Sequence, residues 1–150
     1  MKIWQQRFNL GLLLVIFLSW ATSTLARTDG YPKNPKVDAI NYAFNISLSD
    51  ESDEIVCVVT IDIHYRGKGV ETLRLDLINA SKELDGKGMK VSSVKSNDSS
   101  LDYTHENDEL IIQLAAASEK DQASQYIIEY RGIPATGLKI GDNKYGDRTF

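Results

Sequence analysis

Residue types that commonly carry catalysis or bind metals are scarce in this chain. It contains two histidines, His64 and His105, and one cysteine, Cys57. His105 and Glu106 begin like the zinc-binding pattern H-E-x-x-H, in which two imidazoles one helical turn apart hold the metal. Glu109 stands where the second histidine would be, and the surrounding residues do not follow a helical pattern. The sequence therefore predicts a polar hairpin tip at His105.

Cys57 has a functional and a structural interpretation. A nucleophilic cysteine needs a neighbouring base and an oxyanion site, and no pattern around Cys57 supplies them. It lies in an alternating run of valine and isoleucine. Burial among such residues makes a thiol inert, so we expect a packed core thiol. A single cysteine also excludes an internal disulfide.

Two lysines are flanked by glycines in a way that invites comparison with phosphate-binding loops. They lie in Gly67-Lys68-Gly69 and Gly86-Lys87-Gly88. Neither segment has the G-x-x-x-x-G-K-[ST] spacing that aligns backbone N–H groups at the start of a helix. We therefore interpret both segments as hairpin turns.

The elements that would position these residues are strands. The first candidate has apolar residues at alternate positions, namely Ile40, Tyr42, Phe44, Ile46 and Leu48. This alternation predicts a strand with one buried and one wet face. A second strand, residues 55–65, has core residues at odd positions, while Asp62 and His64 point to the opposite face.

Five further strand candidates follow, and no segment after residue 38 has the length and pattern of a stable helix. Their positions are 73–77, 89–94, 101–104, 110–114 and 126–130. Residues 115–121 allow a helical turn that is too short to be stable. About seven short strands separated by turns predict an all-β fold, specifically an antiparallel β-sandwich. The pattern does not predict the order in which the strands pair.

The first 26 residues have the composition of a secretory signal peptide. Lys2 and Arg7 form a positive start, Leu10–Leu18 form an apolar run, and Thr24-Leu25-Ala26 offers small residues for cleavage. We predict cleavage between Ala26 and Arg27, with cleavage after Ala21 as the alternative. An uncleaved membrane anchor is the competing interpretation, but it needs about 20 apolar residues.

This assignment divides the chain into a signal peptide (1–26), a linker (27–38) and a β-domain (39–150). The protein is then exported to the periplasm, the cell envelope or the extracellular space. The chain has 17 Lys and Arg against 21 Asp and Glu, so a nucleic-acid partner is not expected. Cleavage removes two positive charges, and we expect no membrane association of the more acidic mature chain.

Several segments together resemble one known protein family. They are Asn41–Leu48, Leu73–Leu77, Met89–Val94, Leu110–Leu114, Tyr126–Gly132, Gly132–Leu138 and Tyr145–Phe150. Their order and spacing are similar to the N-terminal domain of the M1 family of zinc aminopeptidases, the aminopeptidase N-like metallopeptidases. The resemblance covers roughly residues 40–150.

The resemblance implies a part of a larger enzyme. The family's catalytic domain carries G-x-M-E-N, H-E-x-x-H and a later glutamate, none of which occurs in this chain. We therefore assign no catalytic, cofactor-binding or metal-binding residue here. The resemblance implies a non-catalytic domain, truncated at its C-terminal end, whose partner is the catalytic domain of the parent peptidase. Zinc and the peptide substrate would bind in that domain. The alternative is a stand-alone envelope β-sandwich for binding or adhesion.

Overall fold

All regular elements in the described part of the chain are β-strands. The computed structural model describes residues 33–150. The ten strands within this range are β1 (Val37–Ser49), β2 (Ser52–Tyr65), β3 (Thr72–Asp76), β4 (Gly88–Ser96), β5 (Ser99–Ser100), β6 (Tyr103–Glu106), β7 (Glu109–Gln113), β8 (Gln122–Ile133), β9 (Gly141–Asp142) and β10 (Arg148–Thr149). The predicted all-β class is confirmed. The predicted signal peptide, the Ala26–Arg27 cleavage site and the first part of the linker lie outside the described residues.

The strands form three antiparallel sheets. The largest has the order β1-β2-β8-β4-β5, the second has the order β3-β7-β6, and β9 pairs with β10. β1 and β2 form a hairpin that turns at Asp50 and Glu51. β8 lies between β2 and β4, so the centre of the large sheet depends on pairing between segments that are far apart in sequence.

The core lies between the large sheet and the three-stranded sheet. In β2 the residues at odd positions from Ile55 to Tyr65 are buried, and each has a relative exposure of 6% or less. The predicted alternation of β2 is therefore confirmed. One apolar cluster joins β2, β4 and β8 to β3 and β7, and it includes Ile61, Val94, Ile128, Leu73 and Ile112.

β1 departs from the prediction. It forms a strand, but the apolar residues expected to be buried are exposed, with Tyr42 at 47%, Phe44 at 57% and Ile46 at 47%. The reason is the extent of the smaller sheet, whose buried residues pack with β2, β4 and β8. The alternation in β1 therefore indicates an apolar face, and the residues that the structure describes leave this face largely exposed to solvent.

Two predicted hairpin turns have a different role. Gly67–Gly69 follow β2 and lead towards β3, which belongs to the other sheet. Gly86 and Lys87 precede β4, which pairs with β8 and β5 and not with β3. The hairpin interpretation is therefore wrong for Gly67–Gly69, which lie between strands of different sheets. Gly86 does lie in a turn, because its N–H donates to the carbonyl of Ser81 at 2.8 Å, but the strands before and after that turn, β3 and β4, do not pair.

The loop before β8 is held by a buried serine and has no helical turn. Ser118 is 2% exposed. Its hydroxyl accepts from the N–H of Val70 at 3.0 Å and donates to the carbonyl oxygen of Gly67 at 3.0 Å. These bonds satisfy a polar side chain inside the protein and tie the loop to the segment after β2.

Candidate functional site

The two histidines lie on different sheets. His64 is in β2 of the large sheet, with Nε2 3.9 Å from a carboxylate oxygen of Asp121. His105 is in β6 of the small sheet, with Nε2 2.8 Å from the carbonyl oxygen of Leu77. Between residues 33 and 150, no three His, Cys, Asp or Glu side chains are grouped closely enough to hold a metal. The described residues therefore do not fit a zinc site.

The predicted hairpin tip at His105 is confirmed. β6 and β7 pair from Tyr103 to Glu109 around a two-residue turn, with φ of 53° at Asn107 and 63° at Asp108. Positive φ at both central residues is typical of the tight turns that match the twist of a hairpin. The similarity to the H-E-x-x-H pattern is therefore a feature of this hairpin and does not mark a helix.

Cys57 is enclosed in the core. It is 0% exposed and lies opposite Tyr130 of β8. Burial raises the pKa of the Tyr130 hydroxyl far above its ordinary value, and a hydrogen bond with Cys57 acts in the same direction. The thiol packs beside a neutral phenol and is shielded from solvent, as the sequence predicts for a core thiol.

An apolar groove runs along β1 and is the strongest candidate for a binding site. Its volume is about 250 Å³. One wall belongs to the large sheet and the other to β3 and β7. Its lining consists of Tyr42, Phe44, Val59, Ile61, Leu75, Asp76, Leu77, Leu110, Ile128 and Tyr130.

The exposed row of β1 continues the core-facing side of the large sheet. Tyr42 is opposite Ile61, and Phe44 is opposite Val59. Directly opposed residues of an antiparallel pair point to the same face, so both rings lie on the side that packs against the small sheet further along. The two rings are stacked, with centroids 6.2 Å apart and planes 9° apart. They give the groove an aromatic wall.

The described lining of the groove includes a single charged residue. Asp76 is the only charged residue among those described as lining it. Arg74 donates to Glu109 at 2.7 Å and lies 2.9 Å from an oxygen of Asp76. The bond from Arg74 holds the pKa of Glu109 below its usual range. Nine of the ten lining residues have apolar or aromatic side chains, which suits the groove to contact with an apolar segment.

A second, more polar cleft involves the segment that follows β8. It has a volume of about 300 Å³ and is lined by Asp53, Lys87, Ile133, Pro134, Ala135, Leu138, Lys139 and Ile140. An ion pair between Arg148 and Asp53 ties the chain after β9 to the start of β2.

The fold has counterparts among solved M1 zinc metallopeptidases. The enzyme from Deinococcus radiodurans matches with a TM-score of 0.56 at 14% identity, covering 73% of this chain and 22% of its own. A mutant of the M1 enzyme from that organism, bound to a Tyr-Ser-Ala substrate, matches with a TM-score of 0.56 at 16% identity, covering 72% and 22%. A mutant of a two-domain M1 zinc metallopeptidase bound to L-tryptophan gives 0.56 at 14% identity, covering 74% and 23%.

These matches define the fold class of the chain, a β-fold shared with part of the M1 zinc metallopeptidases. The predicted resemblance is thereby confirmed at the level of the fold. The chain spans less than a quarter of the length of the structures that it matches. No protein-family profile matches the sequence, and no curated protein matches it.

Among residues 33–150 no helix is long and apolar enough to cross a bilayer.

Proposed function

We propose that this chain is the N-terminal β-sandwich domain of an exported, M1-type zinc metalloaminopeptidase, and that it has a scaffold role without catalytic residues of its own. The observation that carries the proposal is the shared fold, with TM-scores of 0.55 and 0.56 over 67% and 72% of this chain. The parent enzyme would remove N-terminal residues from peptides.

The proposed roles of this chain and of the parent enzyme's catalytic domain follow from the chemistry of the described side chains. They offer no grouped metal ligands, and the buried thiol of Cys57 is closed to substrate. We therefore assign zinc, the general base and the grip on the substrate amine to a catalytic domain outside residues 33–150. The part left to this domain is to pack against that partner and keep water from the interface.

Export is part of the same proposal. The charged start, apolar run and small residues of the first 26 positions support a signal peptide cleaved between Ala26 and Arg27. The mature domain would then act in the periplasm, the cell envelope or outside the cell. N-terminal sequencing of the protein recovered from those fractions tests this step. A mature chain that begins at Met1 contradicts it.

The central experiment asks whether the coding sequence continues into a peptidase. We expect an H-E-x-x-H segment and a G-x-M-E-N segment in frame after Phe150, or after a frameshift. The complete polypeptide should release amino acids from aminoacyl-arylamides in a chelator-sensitive way. Deletion of residues 37–150 should lower kcat/KM by about tenfold or more, because the domain supports the closed site.

The matched control is the 150-residue chain by itself, which we expect to be inactive in the same assay. Chelator-sensitive activity of that chain above an empty-vector background would overturn the non-catalytic assignment. A downstream region that encodes no peptidase would instead favour a stand-alone envelope module for binding or adhesion.

A further inference from the structure

We propose that the groove beside β1 receives a fourth strand, which pairs with β3 and extends the three-stranded sheet over β1. The inference deepens the proposed function and rests on it for the identity of the donor. The donor we infer is an extended segment with alternating apolar residues, belonging to the part of the parent peptidase outside this chain.

The first step is the alignment of the two sheets. The hydroxyl of Tyr103 in β6 donates to the carbonyl oxygen of Val91 in β4 at 3.1 Å, which places β6 over β4. Leu75 of β3 lines the groove together with Val59 and Ile61 of β2, which places β3 over β2. With the strand orders β3-β7-β6 and β1-β2-β8-β4-β5, the small sheet ends one strand short of β1.

The second step is the exposure of β1. Phe44 is 57% exposed, whereas Val59, its partner on β2, is 4% exposed. Ile46 is 47% exposed, and its partner Cys57 is 0% exposed. The core-facing side of the large sheet is therefore buried at β2, where the small sheet covers it, and exposed to solvent at β1, where the small sheet does not reach. A row of this kind is a binding surface for apolar side chains.

The third step is the direction of the β3 backbone. The N–H of Leu77 donates to Asp108, and the carbonyl of Glu71 accepts from Leu114, so the odd-numbered residues bond to β7. Hydrogen-bonded positions alternate along an antiparallel strand. Thr72 and Asp76 therefore direct their backbone groups to the opposite edge, where the sheets formed by residues 33–150 place no strand.

The fourth step is the fit between these edges. Strands lie about 4.8 Å apart within any sheet, and facing sheets pack about 10 Å apart. A strand added to β3 therefore comes to lie over β1, just as β3 lies over β2. Its inward side chains would cover Tyr42 and Phe44, and its backbone would pair with Thr72 and Asp76. A helix of about 10 Å diameter would not pair with β3 in this way.

The probe for this proposal is a fluorescein-labelled peptide of about nine residues, with alternating valine and threonine and a lysine at each end. Its control has the same composition with the valines in one block. We expect saturable binding of the alternating probe to the full chain. Binding should weaken about tenfold or more in the double variant Tyr42→Ser/Phe44→Ser.

The matched control variant is Val56→Ser/Val58→Ser, which removes exposed apolar side chains, 50% and 37% exposed, from β2. These residues lie on the face of the sheet opposite the groove, so we expect unchanged binding. Hydrogen exchange of the backbone amides shows which strand the bound probe pairs with. The bound probe should protect the amides of Thr72 and Asp76 on β3.

The inference would be overturned by equal binding to both double variants, by no saturable binding up to about 1 mM, or by protection confined to the β1 edge. A dimer of the free chain that buries Phe44 and excludes the probe would also overturn it, by making a second copy the occupant. The assay needs no peptidase activity. Specific binding by a chain whose gene encodes no peptidase would therefore refute the proposed function and leave the strand-accepting groove in place.

Discussion

The hydroxyl oxygens of Tyr65 and Tyr126 lie 2.7 Å apart inside the core. Tyr65 is at the end of β2 and is 0% exposed, while Tyr126 is on the neighbouring strand β8 and is 4% exposed. A buried hydroxyl without a partner is costly, and here each hydroxyl supplies the partner of the other. The pair therefore fixes the two central strands of the large sheet to each other at a polar point in an apolar cluster.

The first prediction is that the two hydroxyls are energetically coupled. Tyr65→Phe should lower the free energy of unfolding by about 1–3 kcal/mol, because it leaves the Tyr126 hydroxyl buried without its partner. Tyr65→Phe/Tyr126→Phe should cost less than the sum of the two single variants. Urea denaturation followed by circular dichroism measures all three. Strict additivity would show that the hydroxyls do not interact in solution.

The second prediction concerns alkaline pH. Burial raises the pKa of Tyr65 above its ordinary value, and the hydrogen bond with Tyr126 acts in the same direction. In the unfolded chain a tyrosine ionises at about pH 10. The contribution that the buried, neutral Tyr65 makes to the free energy of unfolding is therefore complete below that pH and is lost as pH rises above it. Urea denaturation between about pH 8 and about pH 11 should show this fall. The fall should be shallower in Tyr65→Phe, and an equal slope in both proteins would contradict the assignment.

The third prediction is that Cys57 reacts only when the protein unfolds. Its side chain is 0% exposed in the centre of β2. Ellman's reagent should therefore detect no thiol in native buffer and one thiol per chain in urea. The control is Cys57→Ala/Ser47→Cys, which places the thiol on exposed β1 and should react at once. Rapid reaction of native Cys57 would reopen the nucleophile interpretation.

The fourth prediction compares two residues that face each other across β1 and β2. Ile61→Ala should destabilise the protein by about 2–5 kcal/mol, because Ile61 is 2% exposed in the core. Tyr42→Ser, at its partner position with 47% exposure, should cost much less. Thermal melts of the two variants measure both effects. Equal destabilisation would mean that β1 is covered in solution.

The fifth prediction concerns Gly132, the glycine of the Tyr-Arg-Gly segment. A Cβ added there would collide with the carbonyl oxygen of Gly88 on the paired strand β4. Gly132→Ala should therefore destabilise the protein by about 1–3 kcal/mol. Gly141→Ala is the control, because a Cβ there meets no atom within 4 Å, and it should stay within about 0.5 kcal/mol. Similar melts for both variants would show that β4 and β8 separate easily at this point.

Much of the local structure was readable from the residues. The alternation of β2 predicted which side chains are buried, because successive side chains of a strand must point to opposite faces. The same reasoning placed Cys57 in the core. The incomplete H-E-x-x-H pattern and the lack of a helical pattern around it placed His105 near a hairpin tip. The order and spacing of the strands pointed to the M1-like fold, which the solved structures share.

The alternation of apolar and polar residues did not predict other features of the fold. The exposed row on β1 has the same alternation as the buried row on β2, so the pattern could not distinguish them. The glycine segment at 67–69 resembles a hairpin turn, yet it lies between strands of different sheets. Ser118 had no sequence signal, because its partners Gly67 and Val70 lie about fifty positions away.

The sequence by itself determined that the chain forms strands and which side chains share a face. Only the tertiary structure decided which faces meet. Alternation is fixed by the geometry of a single extended backbone, whereas cover over Phe44 depends on a second sheet assembled from distant segments. The small sheet reaches β2 and ends there, and this is why an apolar groove lies beside β1.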